Sequence, residues 1–178
     1  MIKRTNESGR TMLEMLGVLA IMGVIMYGAI SGISFGVEMY QINAAYHQIE
    51  ELSEGIVDLY SWSRGYPDFG SGFIETICSN DLTDCRGRTG SREIKSPIGG
   101  AKVTIGCFGK IDDNKCTGFS VSYSGLSYLA CSRLKNQTFR HVECFPNTPK
   151  TALNLDEGGV GSCNEGGANS NTLYCYSR

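Results

Sequence analysis

No charged residue occurs between Met15 and Val37, a stretch of 23 positions in a chain of 178. Such a run, at about 1.5 Å of helix rise per residue, spans roughly 35 Å and crosses the ~30 Å apolar core of a bilayer. That length excludes an ordinary secretory signal, whose apolar core is only about 7–15 residues long and is followed by a small-residue cut. A basic excess is also missing. Lys and Arg number 16 against 18 Asp and Glu, a net charge of −2, so specific nucleic-acid binding driven by bulk electrostatics is not favoured. Cysteine is absent before Cys78, and no two cysteines have the CxxC spacing of a zinc site or redox centre. Histidine is scarce: His47 falls on the first helix and His141 in the region beyond it that carries the cysteines, with no cue that sets either beside a free thiol. We read both as structural, and we identify no catalytic residue, metal site or cofactor.

What is present begins with Glu14. It follows a short leader carrying Lys3 and Arg4, and it stands at the lip of the uncharged run. A carboxylate in that position costs on the order of 2.5–3.5 kcal/mol on insertion scales, so its retention implies a use. Lys3 and Arg4 before the run and Glu38 after it orient the N-terminus to the cytoplasm and the remainder outside. The segment Ser8-Gly9-Arg10-Thr11-Met12-Leu13-Glu14-Met15-Leu16-Gly17-Val18-Leu19-Ala20-Ile21 resembles the class III signal of type IV pilins and pseudopilins: a Gly at the cut, a Glu five places on, then an unbroken apolar helix. The resemblance implies cleavage between Gly9 and Arg10 by a membrane prepilin peptidase that methylates the new amine, and assembly through Glu14 and the new N-terminus at Arg10. Family members usually carry Phe, Met or another apolar residue where this chain has Arg10. Many also carry a proline about two dozen residues into the mature helix, where this chain has none before Pro67.

Gly28, Gly32 and Gly36 stand there instead, making two successive GxxxG steps. That spacing permits close helix packing in a membrane and also weakens the helix by about 1 kcal/mol per glycine. Two readings stay open: a packing or melting seam, and the general abundance of glycine in membrane helices. Beyond Val37 a helical rhythm continues through Met39, Ile42, Tyr46, Ile49, Leu52, Ile56 and Leu59, while Glu38, Gln41, Gln48, Glu50, Glu51 and Glu54 fill the other faces. Arg64-Gly65-Tyr66-Pro67 supplies breakers, so the helix is expected to fade near Trp62.

From 63 to 100 the pattern is irregular and rich in glycine, and reads as a loop that Cys78 and Cys85 could staple. Arg86, Arg88 and Arg92 within it read as a solvated basic run. Alternation through Val103, Ile105 and Cys107, a polar turn, then Cys116, Phe119, Val121 and Tyr123 predicts an antiparallel hairpin that a Cys107–Cys116 bridge would lock. Asp112, Asp113 and Asn114 read as the turn of that hairpin in preference to a calcium loop. Next come a strand into a Ser124-Gly125 turn, a short helix bearing Cys131 and, after Cys163, a final strand ending near Cys175 and Tyr176. This run resembles the corresponding region of type IVb pilins.

Eight cysteines, all beyond the apolar run, read as disulfides in an oxidising compartment, with 105 possible connectivities. The type IVb resemblance implies Cys131–Cys163, which leaves Cys144 and Cys175 for each other. The resulting division is a cleaved leader (1–9), an apolar transmembrane and assembly helix (10–37), its amphipathic continuation (38–62), a connecting loop (63–100) and a β-sheet head (101–178). The expected fold class is α+β, the type IV pilin fold. The resemblance implies a structural pilin, resident in the inner membrane with a periplasmic head before assembly and in an extracellular pilus after it. Its implied partners are other pilin subunits, prepilin peptidase and the inner-membrane assembly platform. A minor pilin or secretion-system pseudopilin with a partner-binding head is the alternative, and a membrane-anchored enzyme comes third.

Overall fold

The computed structural model describes residues 7–63, 65–67, 71–89, 92–112, 115–149, 161–166 and 169–177. Its elements, in chain order, are α1 (Glu7–Tyr60), β1 (Tyr66–Pro67), α2 (Ser71–Ser79), β2 (Cys85–Arg86), β3 (Glu93–Ile94), β4 (Lys102–Asp112), β5 (Lys115–Leu126), α3 (Tyr128–Lys135), β6 (Val142–Pro146) and β7 (Asn171–Ser177). Two compact units divide the chain, Met1–Met39 and Tyr40–Arg178. The fold class is α+β, that of a type IV pilin: a long N-terminal helix, an antiparallel sheet and four disulfides.

The described part of the first unit is helix alone. In the second, α1 buries Ile42, Ala45, Ile49, Leu52 and Ile56, spaced alternately by three and four residues, which is one helical face. Across from them lie Phe119, Val121, Tyr123 and Leu126 of β5, Val103 and Ile105 of β4, and Leu173 and Cys175 of β7. Leu59 does not continue that face. It is 41% exposed, because the helix is ending, and Ser63 closes it by donating both its amide and its hydroxyl to the Tyr60 carbonyl at 3.0 and 3.1 Å.

The main sheet runs β4-β5-β7-β6, all antiparallel, with β1 pairing the start of β5. The expected hairpin is present and longer than its apolar core suggested: β4 and β5 pair from Lys102↔Ser124 to Asp112↔Lys115, with Val103↔Tyr123 and Ile105↔Val121 inside. Asp113 and Asn114 lie outside the described residues. The expected Ser124-Gly125 turn is instead an irregularity within β5, where the pairing with β7 shifts between Ser124 and Leu126. Gly125 takes φ +83 there, and a β-carbon would approach the Gly100 carbonyl oxygen at 3.1 Å, so only glycine lets the strand bend and continue. Ser127 then caps α3, its hydroxyl accepting from the Ala130 amide.

The loop between α1 and the sheet is more ordered than its glycines imply. It holds α2, whose Phe73 and Ile77 are buried four residues apart, and the short β2–β3 ladder. Leu82 presses on Gly55 of α1 so closely that a β-carbon there would lie 2.7 Å from a Leu82 methyl.

Candidate assembly surfaces

Between Met12 and Val37 sixteen large apolar side chains stand 49–79% exposed. Each would gain roughly 1.5–3 kcal/mol on leaving water, a sum of tens of kcal/mol that water cannot host and that lipid or apolar protein must take up. Backbone polarity is no obstacle, since helix bonding satisfies it. The hydroxyls follow suit: Ser31 donates to the Gly28 carbonyl at 3.2 Å, and Ser34 to those of Ile30 and Ser31 at 3.0 and 3.1 Å. Glu14 is exposed one turn into this surface. Gly28, Gly32 and Gly36 share one side of the helix, four residues apart, and a methyl group at any of them would meet nothing within 4 Å. Gly9 and Arg10 fall in the first turn of α1, their side chains lying outside the described residues.

The second unit is braced covalently. Cysteines pair as Cys78–Cys85, Cys107–Cys116, Cys131–Cys163 and Cys144–Cys175, the set expected from the chain, and none is free. Cys144 and Cys175 sit directly opposite on β6 and β7. No thiol is therefore available as a nucleophile. Among the described residues no group of three His, Cys, Asp or Glu side chains is placed to hold a metal ion. His47 is exposed beside the Tyr46 ring, and His141 is half-buried.

Two polar clusters escaped the sequence reading. Gln48, buried on α1, donates to Thr83 Oγ1 at 2.7 Å and to the Lys95 carbonyl at 2.8 Å, and accepts from the Tyr123 hydroxyl at 2.6 Å. One amide thus ties the helix to the loop and to the sheet. Burial pushes the Tyr123 phenol far above its usual range. Asn171, fully buried, accepts from the Asn164 amide at 2.6 Å and donates to the Asn164 carbonyl at 3.1 Å, fastening the turn after Cys163 to β7. Lys135 reaches the Gly161 carbonyl at 3.0 Å, and the Tyr128 hydroxyl donates to Glu165, whose hydrogen bond and charge make the phenol hold its proton more tightly than usual. The signal in both clusters was a polar residue within an apolar rhythm, Gln48 between Ala45 and Ile49 and Asn171 before Leu173.

No protein-family model matches the chain. It is similar to toxin coregulated pilin of Vibrio cholerae, and to the protein of the same name in Vibrio cholerae serotype O1, at 26% identity over 133 residues in each case. The match covers 74% of this chain and 58% of the relatives' length. A long apolar N-terminal helix, an antiparallel sheet and four disulfides accompany this similarity, and in all of these features the chain resembles a type IV pilin.

Proposed function

We propose that the chain is a structural subunit of a type IVb-like pilus. Prepilin peptidase hydrolyses the amide between Gly9 and Arg10, and the mature protein waits in the inner membrane with its head in the periplasm. At the assembly platform it joins an extracellular filament through α1. The observation that carries this reading is the apolar surface from Met12 to Val37, exposed on all sides and interrupted at its start by a carboxylate. Lipid accepts the apolar side chains but not the charge, whereas a bundle of like helices accepts both if a cation is at hand. The new amine of a neighbouring copy, with that copy's Arg10 beside it, is such a cation, and a charge-assisted contact is strong where water is excluded. Homology to a pilin supports the same role.

Mass spectrometry of the mature N-terminus tests the processing step. Arg10 as first residue, with or without a methyl group, is the expected result. A start beyond residue 25 would mean ordinary signal-peptide removal and would sink the proposal.

A further inference from the structure

The four bridges differ in how they follow the order of the chain. Cys78–Cys85 and Cys107–Cys116 each join a cysteine to the next one in sequence. The other four cysteines do not pair that way: Cys131 passes over Cys144 to reach Cys163, and Cys144 passes over Cys163 to reach Cys175. Four cysteines allow three connectivities, and the native one is that in which the bridges cross.

Two features set the order of events against this pairing. Cys131 and Cys144 are 13 residues apart and Cys163 and Cys175 are 12 apart, against native separations of 32 and 31. Because closure weakens as the three-halves power of loop length, the unfolded chain favours each short loop by roughly fourfold. The second feature is the strand order β4-β5-β7-β6, which puts the last strand of the chain between β5 and β6. Among the described strands β6 pairs with β7 alone, Cys144 directly opposite Cys175. Cys144 therefore has no place in the sheet until the C-terminal strand arrives. A head that enters an oxidising compartment from its α1 end delivers Cys131 and Cys144 before that strand.

We propose that oxidation first makes Cys131–Cys144 and Cys163–Cys175, and that the chain depends on a partner that converts them, a thiol–disulfide isomerase whose reactive cysteine is kept reduced. Three exchanges complete the conversion. The isomerase thiolate attacks Cys144 Sγ, which forms a mixed disulfide and releases the Cys131 thiolate. Cys131 then attacks Cys163 Sγ, making the first native bridge and releasing the Cys175 thiolate. Cys175 attacks Cys144 Sγ, making the second native bridge and returning the isomerase thiolate. Two disulfides enter and two leave, so no oxidant or reductant is consumed. The electrons and protons of the thiols have already passed to a disulfide-bearing oxidase when the first bridges form. Cys144 is the point of attack because it lies on an edge strand and stays half-buried in the finished head, whereas Cys131 and Cys175 are fully buried. The inference rests on the reading above in one respect, that the head folds in the periplasm.

The test expresses the full chain in two bacterial strains that share a periplasmic disulfide oxidase, one of them without periplasmic isomerases. Thiols are blocked with N-ethylmaleimide soon after a labelling pulse, and non-reducing peptide mapping reads the pairs. Without isomerase, Cys131–Cys144 and Cys163–Cys175 should persist and the native crossed pair should fall about fivefold, as a fourfold bias toward the short loops dictates. Cys78–Cys85 and Cys107–Cys116 should form equally in both strains. An isomerase that lacks its second active-site cysteine should be caught as an adduct on the peptide carrying Cys144. Cys131→Ser with Cys163→Ser leaves only sequence neighbours to pair, so Cys144–Cys175 should then form without isomerase; Cys144→Ser with Cys175→Ser is the reciprocal check on Cys131–Cys163. Native crossed bridges formed at equal rate and yield in both strains overturn the isomerase step and leave the pilus reading intact. Cysteines that stay reduced in both strains put the head outside the periplasm and sink the broader reading together with this one.

Discussion

At the scale of single residues, the chain spends polar groups in two places where apolar ones would be simpler. Glu14 is the first. Glu14→Gln keeps size and shape and removes the charge, so each helix contact in a filament should lose about 1.5–3 kcal/mol, the usual weight of a hydrogen bond to a charged group. Processing and membrane residence should persist while filaments counted by electron microscopy fall tenfold or more. Normal filament numbers would remove Glu14 from assembly. Gln48 is the second, and its work is internal. Gln48→Leu leaves the buried Tyr123 hydroxyl and the Lys95 carbonyl without their partner, each worth about 1–3 kcal/mol. Denaturant unfolding of the full chain in detergent should show a loss of about 2–6 kcal/mol, and an unchanged midpoint would refute this role for Gln48. Glu14 was legible in the sequence because a charge in an apolar run is an anomaly that composition alone exposes. Gln48 was not, because a glutamine on a helix that also carries Glu50 and Glu51 looks like part of the wet face.

At the scale of elements, periodicity and length decided what could be read. The apolar stretch, the hairpin of β4 and β5 and the final strand each carry several residues in register, and all three stand where expected. α2 was missed because its helical signal is only Phe73 and Ile77, set between Gly70, Gly72 and a cysteine; the contacts it makes, not its own sequence, justify it. Gly125 was read as a turn because Ser-Gly pairs commonly make turns, yet the pairing of β5 with β7 on both sides of it carries the strand through. The disulfides are the other elementary unit, and their loops differ in size. Closing the 32-residue separation of Cys131–Cys163 should stabilise by roughly 3.5 kcal/mol, and the 7-residue separation of Cys78–Cys85 by roughly 2.5 kcal/mol. Paired Cys→Ser variants compared by guanidinium unfolding should therefore rank in that order, the long loop costing about 1 kcal/mol more. A reversed ranking would show that native contacts around Cys78, not chain entropy, set the balance.

For the whole molecule, the buried Tyr123 phenol bears on stability at alkaline pH. Tyr123 has its folded pKa raised by burial above the unfolded value of 10.0. Its contribution is therefore complete below pH 10.0 and declines as pH rises past that point, because the unfolded chain then loses a proton that the folded one retains. Stability should fall by about 1.4 kcal/mol per pH unit from this group alone above pH 10.0. Tyrosinate absorbance should then rise in two stages, exposed phenols first and Tyr123 only with unfolding; a single smooth titration would contradict the burial. The bridges bear on a different property of the whole, its resistance to pulling. Cys131–Cys163 and Cys144–Cys175 interleave along the chain, each enclosing one end of the other. A load carried from Cys131 to Cys175 passes across a sulfur bond and then through only the twelve steps from Cys163 to Cys175, in place of forty-four. At about 3.6 Å per step the slack that this region can pay out is close to 43 Å instead of nearly 160 Å, so under tension it behaves as a short tether even after every strand of the sheet has let go.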